Sequence, residues 1–264
     1  MLVREVDAKT DLGPTGKGGS GSHYFLCNDG QEYVIKFNLS KHKTIINELV
    51  AGTLADEMKL PAPEMVIVNI TNEFFETATG ELKTKKVQVG KHIGIKRLPK
   101  TCWDFDYWKD EMLKPKTLTN KKDLYGVISF DNWIINTDRN NQGNNMLELL
   151  ENDQVRYWMI DFGHCFLNSS WTIESLKNES EQEKLMNVFP YLKEKIETLA
   201  DFSSWFEIVE KIEDKKINEI VESVPPSWPL TNEEKLFLIN LIKLRRNLPR
   251  TIICNHQGDL ELAN

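Results

Sequence analysis

The chain has 264 residues, 40% hydrophobic and 28% charged, enough for one large domain or two small ones with a sizeable core. A net charge of −7 and an isoelectric point near 5.4 argue against nucleic-acid binding by bulk charge, so no direct DNA binding is expected. No apolar run approaches the ~20 residues of a membrane span, and Cys27, Cys102, Cys165 and Cys254 have neither zinc-site spacing nor the density of a disulfide scaffold. Reduced thiols, and no signal-peptide apolar core in Met1–Asp7, predict a cytoplasmic protein.

Leu2–Val6 is a predicted strand. A glycine-rich run follows, Gly13-Pro14-Thr15-Gly16-Lys17-Gly18-Gly19-Ser20-Gly21-Ser22. It is not a Walker A loop, because Gly18 follows Gly16-Lys17 and no glycine precedes at the required spacing. On composition alone it reads equally as a linker. His23–Cys27 and Glu32–Phe37 then read as two strands around the turn Asn28-Asp29-Gly30. A glycine loop leading into a hairpin that ends Val34-Ile35-Lys36 is how kinases cover and clamp ATP. Gly18, Gly19, Ser20, Gly21 and Ser22 are therefore candidate phosphate contacts through their backbone. Lys36 shares a face with Val34, a costly place for a cation unless a carboxylate or phosphate pairs with it. An edge-strand lysine in solvent is the alternative.

Lys43–Met58 has helical periodicity in Ile46, Leu49, Val50, Thr53 and Leu54. Glu48 lies beside that apolar face as a partner for Lys36, or else as a solvated helix acid. Proline ends the helix before Leu60-Pro61-Ala62-Pro63. Glu64–Ile70 is a strand, residues 71–86 a loop or short hairpin around Thr79-Gly80, and Val87–Leu98 a further strand. Lys83, Lys85, Lys86, Lys91, Lys96 and Arg97 form a basic cluster, a solvated face or a dock for an acidic or RNA-associated partner.

Residues 101–122 carry no clear pattern. Lys122–Asn136 is a helix with Leu124, Val127, Ile128, Trp133 and Ile134 inward. It opens into Asn136-Thr137-Asp138-Arg139 and a polar turn. Asn145 then starts an apolar strand, and Asp161-Phe162-Gly163 ends the next one. Asp-Phe-Gly alone occurs by chance; the order of the pieces carries the reading. A hairpin places its flanking ends side by side, which brings Asn145 near Asp161. Two hard oxygen ligands on one edge suit magnesium, and Asp138 would orient an accepting hydroxyl. Asn168–Thr172 sits where an activation segment would, with hydroxyls open to self-phosphorylation. Amphipathic helices are expected at Ser180–Val188, at Lys193–Ile217 with a break near Phe202-Ser203-Ser204, and at Asn232–Asn247 behind the N-cap Thr231. Ile217, Ile220, Val221 and Val224 face inward before Pro225–Pro229.

These residues resemble the HipA-like kinase family, in its compact stand-alone form. Val34-Ile35-Lys36, Asn47-Glu48-Leu49 with Leu60-Pro61-Ala62-Pro63, Asn136-Thr137-Asp138-Arg139, Asn145-Met146-Leu147 and Ile160-Asp161-Phe162-Gly163 carry the resemblance. Pro225-Pro226-Ser227-Trp228 and Leu244-Arg245-Arg246 support it. It implies an α+β, bilobal protein-kinase-like fold: a small β-rich N-lobe with one main helix over 1–98, and a larger, mainly helical C-lobe over 99–264. It also implies an ATP- and magnesium-dependent serine/threonine kinase. In that scheme Lys36 holds the nucleotide phosphates, Glu48 holds Lys36, and Asp138 is catalytic. Asn145 and Asp161 bind magnesium, while Ile95, Lys96, Arg97 and Leu98 border the adenine. Some members phosphorylate an aminoacyl-tRNA synthetase, so a protein substrate of that kind, or another translation factor, belongs to what the resemblance implies.

The chain departs from the pattern in places. Asn145 follows Asp138 by seven residues where most protein kinases use five, which leaves Asn144 as a competing ligand. Asn140 replaces a histidine, and no Ala-Pro-Glu follows the Asp-Phe-Gly. A catalytically weak nucleotide-binding module stands beside the kinase reading, as do transfer to a small molecule and transfer of the nucleotide itself.

Overall fold

A computed structural model describes residues 3–15, 21–37, 42–78, 80–84, 87–98, 102–104, 117–139, 145–151, 154–186 and 198–260. Five N-terminal strands, β1 (Glu5–Pro14), β2 (His23–Cys27), β3 (Glu32–Lys36), β4 (Met65–Ile70) and β5 (Gly90–Lys96), close into a barrel in the order β1-β2-β3-β5-β4. All neighbours are antiparallel except β1 and β4. Period-2 alternation sends Tyr33 and Ile35 into the barrel with Val6, Phe25, Val66 and Val68, and leaves Val34 and Lys36 on the other face. A Cβ at Gly94 would come 2.5 Å from the Val68 side chain and 2.9 Å from that of Val66, so only glycine fits this strand position.

Helix α1 (Thr44–Glu57) packs outside the barrel, with Ile46, Leu49, Val50 and Leu54 fully buried in the main core. The strand expected at Leu2–Val6 instead runs through Pro14. It pairs first with β4 and then with β2, through register shifts that let Lys9, Thr10 and Asp11 sit in a strand. The described part of residues 71–86 is helical rather than a loop or hairpin. It holds two short helices, α2 (Asn72–Thr77) and α3 (Gly80–Thr84). Thr71 caps α2 by accepting from the Phe74 amide at 3.1 Å, and Phe74 plugs the barrel against Phe25 at 4.9 Å between ring centroids. One inward phenylalanine in a charged stretch is too faint a period to read.

The C-terminal part contains a second sheet, β6 (Cys102–Asp104), β7 (Thr117–Leu118), β8 (Met146–Glu151) and β9 (Gln154–Met159), in the order β6-β8-β9-β7. Strands β6 and β7 account for part of the stretch that carried no pattern. The α-helices among the described residues there are α4 (Asp123–Trp133), α5 (Ile173–Glu179), α6 (Ser203–Glu210), α7 (Asp214–Glu222), α8 (Asn232–Leu244) and α9 (Leu248–Asn255). The helix expected at Ser180–Val188 is not found in its described part, where residues 182–186 are not helical; α5, behind a reciprocal Thr172–Ser175 capping box, ends before it at Glu179. Residues 187–197 lie outside the described part. In the described part of the helix expected at Lys193–Ile217, α6 and α7 are separate, broken at 211–213 rather than only near Phe202. α8 stops at Leu244 because Arg245 turns inward.

The Arg245 guanidinium donates to the carbonyls of Trp133, Asn132, Glu179 and Ser180 at 2.8–3.0 Å, which closes the ends of α4 and α5. Trp133 and Trp228 add indole bonds to the Ile242 carbonyl (2.8 Å) and the Lys91 carbonyl (2.9 Å), the second reaching from the C-terminal part to β5. Ile217, Ile220, Val221 and Val224 are buried, as their periodicity predicts. Among the described residues no helix is long and apolar enough to cross a membrane.

Candidate active site

Lys36 is not an edge-strand lysine in solvent. It is 9% exposed, and its ammonium donates to Glu48 Oε1 and, at 2.7 Å, to Asp161 Oδ1. Glu48 is fully buried on α1, and Asp161 lies just beyond β9. One lysine thus joins β3, α1 and the Asp-Phe-Gly segment. Burial disfavours the Lys36 charge, but Glu48 and then Asp161 more than reverse this, so its pKa is raised. Burial pushes the Glu48 carboxyl up to about 7 against the pull of Lys36, with the Asp161 charge adding to the rise. Burial also raises Asp161, yet Lys36 outweighs it and holds that carboxyl down at about 2. The more open acid ionises more readily than the enclosed one, as expected of two carboxylates sharing one cation.

A second group forms around the loop after α4. Asn145 Nδ2 donates to Asp138 Oδ2 at 2.8 Å and to the Asp138 carbonyl at 3.2 Å. The Asp138 amide donates to Asn136 Oδ1 at 3.2 Å, and Asn136 Nδ2 donates to Asp131 Oδ1 at 2.8 Å. Arg139 is 2% exposed. Its Nε donates to Asp131 Oδ2 at 2.8 Å, and its Nη1 reaches the carbonyls of Asn145 and, at 3.4 Å, Ile160. The Ile160 amide also donates to the Asn145 carbonyl at 3.0 Å, and Met146 faces Met159 across the hairpin. Arg139 and this backbone bond therefore tie the start of β8 to the end of β9, next to Asn145 and Asp161. Burial raises the Asp131 carboxyl although Arg139 opposes the shift.

The backbone around the site is strained. Ile135, Asn145, Asp161, Phe166 and Leu167 have φ of +53° to +77°, a region that non-glycine residues enter at a cost.

Other expected positions fall differently. Gly18, Gly19 and Ser20 lie outside the described residues, as do Asn140 and Asn144. Gly21 has φ +62°, and the carbonyl of the buried Ser22 accepts from the Thr15 amide at 3.0 Å, closing the base of the glycine run. Ile95 is buried opposite Val34 and Met65. The Lys96 and Arg97 amides are taken up by the Glu64 and Glu32 carbonyls at 2.9 Å, and the Arg97 side chain pairs with Glu32 over the Tyr24 ring. Leu98 is half-buried.

The basic cluster resolves into local pairs. Lys91 meets Glu5 at 2.7 Å, Lys96 meets Glu64 at 3.8 Å, and Lys83 donates to the Glu76 carbonyl. Lys85 and Lys86 lie outside the described residues. Asp131, Asn47 and Arg139 were assigned no task from sequence. The available signal was polarity in the wrong place, since Asp131-Asn132 interrupts the apolar run of α4 and Asn47 the apolar face of α1.

Among the described residues no group of three or more His, Cys, Asp or Glu side chains could hold a metal. The donor set here is one partly exposed carboxylate and one carboxamide oxygen. That suits a hard cation which keeps waters and takes its remaining ligands from phosphate.

Comparison with known proteins agrees with this architecture. Residues 12–252 match a family model described as HipA-like kinase. No curated protein matches the sequence. The Helicobacter pylori proinflammatory kinase CtkA aligns with a TM-score of 0.64 at 15% identity, covering 94% of this chain and 98% of that one. Hydra Fam20, solved with sugar, aligns at 0.51 and 14% identity over 99% of this chain and 88% of that one. The Golgi casein kinase aligns at 0.50 and 12% identity over 96% and 74%. At such identities the likeness is one of fold: protein-kinase-like, with a β-rich N-terminal sheet and a helical C-terminal part. Because the family model spans most of the sequence, the chain belongs to the HipA-like kinase family and is a kinase.

Proposed function

We propose that the protein transfers the terminal phosphoryl group of ATP to a serine or threonine hydroxyl of a protein, with magnesium as the metal and residues 1–98 and 99–264 as the two lobes that enclose the nucleotide. The observation that carries this reading is Lys36, buried between Glu48 and Asp161. An ammonium has three N–H donors. Two are occupied here, which leaves the third for a phosphate oxygen. Glu48 and Asp161 fix its direction, so little reorganisation is needed when the phosphate arrives.

Asp138 accepts a hydrogen bond from Asn145, which orients its carboxylate. In the proposed reaction that carboxylate holds the acceptor hydroxyl in line with the terminal phosphate and takes its proton. Because Asn145 spends its amide nitrogen on Asp138, its carboxamide oxygen is left to face a cation together with the Asp161 carboxylate. Magnesium held there would neutralise phosphate charge. Arg139 supports the site from behind, through the Asn145 and Ile160 carbonyls. We place the protein in the cytoplasm, with an aminoacyl-tRNA synthetase or another translation factor as the first acceptors to try; the family resemblance supports both.

The test is the intact mass of the protein before and after incubation with ATP and magnesium, alone and with such an acceptor, beside an Asp138→Asn control. Phosphate-sized increments absent from the control are expected. Nucleotide-sized increments would replace the reading with nucleotidyl transfer. Magnesium-dependent ATP binding with no transfer to any acceptor would point to a binding module.

A further inference from the structure

Glu48 and Asp161 are 113 positions apart, on elements with no covalent reason to stay in register. Something must hold α1 against the segment that begins at Asp161, and one face of α1 does so. Thr44, Asn47 and Glu48 fall at i, i+3 and i+4, so their side chains share that face. Asn47 is fully buried. Its amide nitrogen lies 2.9 Å from the Gly163 carbonyl, 2.8 Å from that of Cys165 and 3.1 Å from that of Asn168. Its Oδ1 accepts from the Trp171 indole at 2.9 Å. One turn earlier the Lys43 amide donates to the Ser169 carbonyl at 2.6 Å.

The fit is also steric. A Cβ at Gly163 would lie 2.8 Å from Thr44 Cγ2, 3.3 Å from Asp161 Oδ1 and 3.4 Å from Glu48 Oε1. An asparagine inside a helix is a weak helix former, and a buried amide is costly unless bonded. Asn47 satisfies its amide entirely on one distant segment, and none of its bonds goes to Lys36.

We infer that Asn47 is a positioning residue: it fastens the helix that carries Glu48 to the backbone that follows Asp161, and so sets the spacing of Lys36, Glu48 and Asp161 on which transfer depends. The inference rests on the kinase reading above. It makes α1 and residues 163–171 one packed unit.

The test uses the whole chain with ATP and magnesium, read as phosphate release to water. Rates are normalised to sites titrated with ADP, at a temperature well below each variant's unfolding midpoint. Asn47→Ser is expected to lower kcat per site by roughly 30-fold with KM for ATP within about threefold, because a small misplacement acts on the transition state rather than on capture. A lowered unfolding midpoint with unchanged kcat per site would mean a structural role only and would overturn the inference, as would a raised KM with unchanged kcat.

If Asn47→Ser does not fold, a steric pair decides. Gly163→Ala should lower kcat per site about tenfold, and adding Thr44→Ala should restore at least about threefold of that loss by removing the shortest contact. No restoration overturns the inference. A wild-type protein that neither releases phosphate to water nor transfers it to any acceptor would sink the proposed function together with this inference. An active wild type with an unaffected Asn47→Ser sinks the inference alone.

Discussion

The two polar groups of the site are built on different plans. Asp131, Asn136, Asp138, Arg139 and Asn145 lie within one short stretch of chain, and their bonds close over separations of two to eight residues. Lys36, Glu48 and Asp161 come from a barrel strand, a helix and the end of a hairpin, with Lys36 and Asp161 separated by 125 positions. The first group is ordered by the fold of its own loop and by a buried guanidinium. The second exists only while the barrel, α1 and the C-terminal part are docked. In the proposed reaction the first group would serve the acceptor and the second the nucleotide.

The largest expected effect is on the local group. Asp138→Asn keeps the shape and the bond from Asn145 but removes the proton acceptor. It should lower kcat by about 10²–10⁴-fold with an unchanged far-ultraviolet spectrum, as measured by phosphate release. Retained activity would reduce Asp138 to scaffolding. Next in size, Arg139→Met leaves the Asp131 carboxylate buried without its charge partner. Breaking a buried pair from one side costs roughly 3–5 kcal/mol, so chemical denaturation should show the variant weakened by about that amount. A loss below about 1 kcal/mol would mean that the hairpin ends are fixed by their backbone bond alone.

Loss of Glu48 alone should be milder, because the Lys36 ammonium pairs with two acids. Glu48→Gln keeps a hydrogen-bond acceptor and loses the charge. That removes roughly 1.5 kcal/mol and lowers kcat/KM for ATP about tenfold. A loss as large as that of Asp138→Asn would mean that Asp161 alone cannot hold Lys36 in place.

The smallest effect lies in the barrel, away from both. His92 is 2% exposed beside Phe37, and burial lowers its pKa. A folded pKa below the unfolded one means that its stabilising contribution is complete above about pH 6.5 and is lost as pH falls through the folded value. The unfolding midpoint should drop further in wild type than in His92→Gln between pH 7.5 and 5. Equal drops would place the acid sensitivity elsewhere.

The two plans also differ in how far sequence reveals them. Lys36 announced itself as a cation in an apolar strand, and Glu48 as an acid beside an apolar helix face. Asn145 and Asp161 stood at the ends of two strands close enough to pair. Such local periodicities decide which face a residue takes: Lys36 meets both Glu48 and Asp161, and a backbone bond from Ile160 to Asn145 sets the two strand ends side by side. Asn47 and Arg139 could not be read in the same way. Their partners are mostly backbone carbonyls, which have no residue type, and for Asn47 they lie more than 100 positions away.

The barrel strands and α1 followed from alternation and from the proline stop after Leu60. The capped helices α2 and α5 were missed, although Thr71 and Thr172 are ordinary N-caps, because the residues behind them present too little apolar surface to show a period. The inward turn of Arg245 was equally hidden, since a guanidinium that closes two helices looks in sequence like any charged helix end.

The claim that most needs testing is that the docked clamp serves magnesium-dependent transfer. ATP turnover by wild type and Asp161→Ala, each with and without magnesium and with thermal unfolding as the check on folding, addresses it directly. The account predicts turnover in wild type only with the metal, and a folded Asp161→Ala protein at about 1% of that rate or less. A folded Asp161→Ala protein that turns ATP over at the wild-type rate would contradict it.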